Sequence, residues 1–156
     1  MRRVAPYVRT TQLRDAALVP LGPTIGRFLA PCGEGVINWS TVLHDVLEHR
    51  PELDLTIEGI GPVRAEMPIL DQDPVWRAGH LDLSDDELAR LRSLADDYAD
   101  RARAGEAETL EQLRAPRPAL PAHEEFVARS AAHLRSVLAS LSGEDLKPAP
   151  AGAGPQ

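Results

Sequence analysis

One pattern constrains this chain more than any other: an amphipathic helix set between two strand-like segments. Trp39, Val42, Leu43, Val46 and Leu47 recur at intervals of three and four, so all five fall on one stripe that faces a core. Asn38 stands where its side-chain oxygen can take a free N–H of the first turn, and Pro51 requires the helix to end before it. Upstream, Tyr7-Val8-Arg9-Thr10-Thr11-Gln12-Leu13 is rich in β-branched and aromatic residues and reads as a strand. Ala16-Ala17-Leu18-Val19 either extends that strand or opens a loop. Pro20, Gly22, Pro23, Gly26, Pro31, Gly33 and Gly35 punctuate the next stretch and predict a long loop over 20–35. Downstream, Leu53, Leu55 and Ile57 alternate with Asp54, Thr56 and Glu58 between Pro51 and Gly59, the pattern of a second strand. Strand, loop, helix, strand is the order of a βαβ unit with parallel strands.

Beyond it, residues 62–83 hold Pro62, Pro68 and Pro74 and no sustained period, so they read as an excursion that packs Met67, Ile69, Leu70 and Trp76 against something. Ser84-Asp85-Asp86-Glu87 is a capping box whose acids suit a helix N-terminus, and Leu88, Leu91, Leu94, Ala95 and Tyr98 form the apolar face of the helix it starts. A shorter helix is expected over 105–114, and Pro116, Pro118 and Pro121 then break the chain. A last helix carries Phe126, Val127, Ser130, Leu134, Leu138 and Leu141 on one side. The organisation expected is therefore residues 1–83, a helical part 84–141, and a Pro-, Ala- and Gly-rich tail 142–156 that reads as disordered.

Charge and cysteine content bound the function. The net charge of −7 lacks the positive field that a phosphate backbone requires, which argues against nucleic-acid binding. The one cysteine, Cys32, cannot form an internal bridge and suits a reducing cytoplasm. No apolar run is long enough for a membrane helix.

Glu58 closes a strand, and in a parallel sheet that end is where ligands bind. Gln12 and Asp15 follow the upstream strand in the same way, with loop hydrogen bonding an equally good account of them. Gly33-Glu34-Gly35 lacks the Lys and Ser or Thr of a phosphate loop and reads as a turn. His44 and His49 are five apart, not the four of a zinc-binding helix pair, and all five histidines read as solvated or structural. No basic residue adjoins Cys32, so a catalytic thiolate is not expected.

Thr11-Gln12-Leu13-Arg14-Asp15, Pro31-Cys32-Gly33-Glu34-Gly35-Val36-Ile37-Asn38-Trp39 and Leu55-Thr56-Ile57-Glu58 together resemble the C-terminal end of the xylose isomerase-like barrels, which include sugar phosphate isomerases and epimerases. The resemblance covers about residues 7–60, and Met67–Asp71 with His80–Leu83 is similar to extensions after the family's last strand. It implies an α/β chain that is the C-terminal fragment of a (β/α)8 TIM barrel, its last two strands followed by a helical extension. It also implies a divalent metal (Mn, Mg, Zn or Co) with Glu58 as ligand and proton shuttle, through an enediolate. Gln12 takes the ligand position of the seventh strand, with Asp15 and Arg14 around the site; the substrate is a small sugar or sugar phosphate. Gln12 stands where the family has histidine, and an amide oxygen is the poorer ligand for a transition metal. A barrel of this type takes about 250 residues. The chain is thus expected to be inactive alone and to hide its open edge by self-association or against a partner chain that supplies strands. The alternative is a non-catalytic, helical protein-interaction module that docks through the helices near 84–99 and 123–141.

Overall fold

A computed structural model describes residues 2–59 and 64–142. The chain between the expected first strand and the helix folds as a β-hairpin. Strand β1 (Asp15–Leu21) and strand β2 (Thr24–Ala30) pair antiparallel, with Asp15 opposite Ala30 and Leu21 opposite Thr24. Gly22 has φ +62° and leads a two-residue turn with Pro23, an arrangement whose twist matches that of the strands it joins. Pro20 is exposed on β1, an edge strand, where its missing N–H costs nothing in the ladder. Strand β3 (Met67–Ile69) adds to the other side of β2, also antiparallel, giving the sheet order β1-β2-β3.

Helix α1 (Trp39–Leu47) forms as its period requires, and the Asn38 side chain accepts from the Thr41 N–H. Helix α2 (Pro74–Ala78), capped by Asp73, lies in the stretch expected to lack periodic structure. Helix α3 (Asp85–Arg103) starts at the Ser84 capping box, with Glu87 returning a bond to the Ser84 N–H. Helix α4 (Leu110–Arg114) starts at a second capping box, Thr109 with Gln112. Helix α5 (Ala119–Leu141) contains Pro121, which therefore does not break it; in the first turn the N–H that proline lacks would have had no intrahelical partner.

Two layers of core result. Trp39, Leu43 and Leu47 of α1 meet Leu134, Val137 and Leu141 of α5 over Cys32, with Leu13, Leu53, Leu55 and Ile57 at the margin. Ala17, Val19 and Phe28 of the hairpin meet Tyr98 of α3 and Leu113 of α4, while Leu18 and Ile25 meet Ala95. The apolar stripes of α3 and α5 are thus spent inside the chain.

The TIM-barrel fragment with two parallel strands is overturned: the sheet has three strands and is antiparallel. The physical reason lies in residues 15–30, where glycine and proline mark a tight turn and an edge position within a hairpin and not a loop. Residues 7–13 hold the end of a 3-10 turn, Ala5–Tyr7, followed by extended chain. Residues 53–58 are likewise extended, and the two segments share a single parallel bridge, Leu13 with Ile57. The Thr11 hydroxyl interrupts that pairing by accepting from the Thr56 N–H and donating to the Asp54 carbonyl. The expectations for Pro62 and for the tail from 143 lie outside the described residues. Among the described residues, no helix is long and apolar enough to cross a membrane.

Candidate functional site

The residues expected to form a site divide between two environments. At the parallel bridge, the Leu13 N–H donates to the Thr56 carbonyl at 2.8 Å and the Glu58 N–H donates to the Leu13 carbonyl at 3.0 Å. Leu13 and Ile57 turn toward the α1–α5 core, so their neighbours Gln12, Arg14 and Glu58 lie on the outer face. There Arg14 Nη1 meets Glu58 Oε1 at 2.5 Å, both side chains about one-third exposed (37% and 34%), and Gln12 is exposed on the same face. His123 of α5 lies directly on Gly59, so that a Cβ there would collide with the imidazole. The geometry therefore brings Gln12, Arg14 and Glu58 to one edge, with a histidine that the sequence alone assigns to the surface or to structure.

Asp15 is elsewhere in character. It is 1% exposed, and its carboxylate accepts four hydrogen bonds: from the N–H groups of Ala16 (2.8 Å), Gly33 (3.0 Å) and Ile37 (3.0 Å), and from Trp39 Nε1 (2.7 Å). Two carboxylate oxygens offer about four lone-pair directions, so the group is saturated. Gly35 has no room for a Cβ because the Asp15 carboxylate and the Ala16 carbonyl occupy that space. The Gly33-Glu34-Gly35 turn is wrapped around this carboxylate, and Asp15 ties β1 to the start of α1.

A divalent metal needs several free donors at one point. Among the described residues no three His, Cys, Asp or Glu side chains gather to hold one. Glu58 already has a guanidinium on it, and Asp15 has no lone pair to spare. The donor set here does not fit the metal that the resemblance implies. Cys32 is no nucleophile either: burial pushes its thiol up to about 12, with the nearby Asp15 charge adding to the rise.

A second constellation lies where the chain between α3 and α4 passes Tyr98. Gly105, with φ +78°, turns the chain at the end of α3, and the Thr109 capping box starts α4, so the connecting segment folds back over Tyr98. A cavity of about 330 Å3 opens there, lined by Glu34, Tyr98, Glu106, Glu108, Gln112 and Arg129 among others. Arg129 Nε reaches Glu34 Oε1 at 2.6 Å, its Nη2 reaches Glu34 Oε2, and its Nη1 reaches Glu125 at 2.8 Å. Glu108 takes Arg64 Nη2 at 3.2 Å and Arg117 Nη2 at 2.5 Å. Arg64 is only 7% exposed and stacks over Phe126, its Cζ 5.5 Å from the ring centroid. Burial, with the Glu108 charge, raises the Tyr98 phenol to about 12.

The sequence presents Glu34 only as part of a turn and Tyr98 only as part of an apolar face. The Thr109-x-x-Gln112 capping pattern is a readable sign of the fold-back. Nothing local signals the pairing of Glu34 with Arg129, 95 residues apart, or of Arg64 with Glu108, 44 apart. Comparison with protein-family models finds no match, and no curated protein or solved structure matches the chain.

Proposed function

We propose that this chain is a non-catalytic relative of the sugar phosphate isomerases and epimerases, which binds a small sugar or sugar phosphate at the Gln12–Arg14–Glu58 edge without converting it. One observation carries the reading. The Leu13–Ile57 bridge aligns two co-directional segments, with the β1–β2 hairpin and α1 between them, and so puts Arg14 on Glu58 with Gln12 on the same face, which supports the reading. Gln12 offers an amide donor and acceptor, Glu58 accepts from hydroxyl groups, and Arg14 keeps guanidinium N–H donors beyond the one on Glu58 for a hydroxyl or phosphate oxygen. Enediolate chemistry asks for a Lewis acid on the substrate carbonyl, and the donors at this edge do not assemble one. A reducing compartment suits the buried thiol of Cys32.

The inward packing of Leu88, Ala95 and Tyr98 on α3, and of Phe126, Leu134 and Val137 on α5, supports this over a module that docks through those stripes. The test is an amide-resolved NMR titration with xylose and with glucose 6-phosphate up to about 10 mM, which detects millimolar affinity. Saturable shifts at residues 12–14 and 56–59, abolished by Arg14→Ala, are expected. Absence of those shifts refutes the binding role, and aldose–ketose interconversion in the presence of Mn2+ refutes its non-catalytic character.

A further inference from the structure

A groove of about 390 Å3 lies between β1, α3 and the start of α4, and shares no residue with the Arg14–Glu58 edge. That volume falls within the roughly 300–1,000 Å3 typical of small-molecule sites. Apolar groups make most of its wall: Val19 and Pro20 of β1, Tyr98, Ala99 and Ala102 of α3, and Leu110 of α4. Val19 and Tyr98 are buried members of the core between the hairpin and α3, so the groove opens onto that core. Side-chain size leaves the space. Tyr98 and Ala102 are four apart and Ala99 and Ala102 three apart, which makes them neighbours on the surface of α3. Beyond the Tyr98 ring that surface offers only two methyl groups, too short to meet Leu110 and Val19 across the gap.

The polar residues at the border are already engaged. Glu108 takes Arg64 Nη2 at 3.2 Å and Arg117 Nη2 at 2.5 Å. Arg103 pairs with Asp100 and is 76% exposed, so its other donors stay in water. The Thr109 hydroxyl accepts from the Gln112 N–H, and the Thr109 N–H donates to the Gln112 side chain. An ion would have to leave water for walls of methyl groups and ring carbon, at a far higher cost than a neutral group. A molecule rich in hydroxyl groups would meet the same walls with nothing to bond. Water there has few partners as well, and replacing loosely held water by an apolar group favours binding. Size sets the scale: an apolar cavity of about 150 Å3 takes benzene, and this groove has more than twice that volume.

We propose that the groove bounded by Val19, Tyr98, Ala99, Ala102 and Leu110 is a binding site for an uncharged, largely hydrocarbon molecule of one or two rings. Contact with the walls and release of water supply the affinity, and the ion pairs at the border stay as they are.

Amide-resolved NMR titration of the full chain with toluene tests this, with benzoate and benzylammonium as comparators that carry the same ring and a charge of either sign. Saturable shifts at Val19, 98–103 and 109–110 are expected with toluene, and affinity at least tenfold weaker for both ions. Ala102→Leu keeps a strong helix former and fills the groove, so it should abolish the toluene shifts, and Ala99→Leu is a second variant of the same kind. Amides of α1, unchanged between the proteins, report that a variant is folded. The proposal is overturned if toluene leaves the groove amides unmoved, if either ion binds there as tightly, or if both folded variants bind toluene as the parent does. A second copy of the chain is the rival occupant. Movement of the same amides with protein concentration alone, together with a dimer in sedimentation, would also overturn the proposal. Shifts at residues 12–14 and 56–59 with sugars belong to the other edge, so the two readings succeed or fail separately.

Discussion

Replacing Asp15 by asparagine changes one atom and should cost more stability than any other conservative change at a carboxylate in this chain. Oδ1 accepts from Ala16 N and Ile37 N, and Oδ2 accepts from Gly33 N and Trp39 Nε1. Whichever oxygen becomes an NH2 group, two donors lose their acceptor and face a donor instead. An unmet buried donor costs about 1–3 kcal/mol. Two of them give about 2–6 kcal/mol, and the lower half of that range applies because three of the four bonds are only partly shielded from water. That is a large share of the roughly 5–15 kcal/mol that holds a domain folded. With a urea dependence of about 2 kcal/mol per molar, the midpoint should fall by about 1–2 M. The assay is urea unfolding followed by Trp39 fluorescence in a Trp76→Phe background, since the Trp39 indole is one of the four donors. Asp45→Asn is the control: Asp45 is also buried, but its partner is Arg2, a side chain 86% exposed, so less than about 1 kcal/mol is expected. A loss at Asp15→Asn no greater than at Asp45→Asn would show that Asp15 does not organise the loop.

The legible parts of this fold are those governed by local rules. Helices α1 and α3 follow from period and from the caps Asn38 and Ser84, because a cap and its turn lie within four residues of each other. The sheet escapes such a reading because Gly22-Pro23 and Gly26 carry the same letters in a hairpin as in a loop; the difference between the two is register, and register depends on residues that face each other across the turn. The contact of residues 11–13 with 54–58 is legible in direction, yet Thr11 takes ladder bonds onto its own hydroxyl, and one bridge remains where two strands are expected. The candidate site shows the same division. Asp15 and Glu58 both stand out because acids follow apolar runs, a pattern that does not encode burial. The fold then gives Asp15 four N–H donors and a role in joining β1 to α1, and gives Glu58 a partly exposed ion pair at an edge. The Tyr98 cavity is not legible as a whole because it assembles residues from the loop after β2, from α3, from the α3–α4 turn, from α4 and from α5, and of these only the α4 cap leaves a local mark.

Glycine substitutions separate packing from backbone strain. Gly35→Ala drives a methyl group into the Asp15 carboxylate and the Ala16 carbonyl and should cost about 3 kcal/mol or more. Gly105→Ala meets open space and bears only the left-handed backbone, about 1–2 kcal/mol. Thermal unfolding of both variants checks the order, and a Gly105→Ala loss equal to that of Gly35→Ala would contradict the wrapped carboxylate. Alkaline pH should weaken the fold through two buried acids. Burial raises the Cys32 thiol from an ordinary value near 9 to about 12, and the Tyr98 phenol from 10 to about 12. The unfolded chain releases these protons first, so the native state binds more protons between about pH 9 and 12, and stability falls there as pH rises, by at most about 1.4 kcal/mol per pH unit for each group. Urea midpoints between pH 8 and 11 should show that decline, its onset delayed toward pH 10 by Cys32→Ala and its upper part flattened by Tyr98→Phe. A decline that both variants leave unchanged would mean that neither group is protonated by burial, and the thiol and the phenol would then have to reach solvent in the native protein.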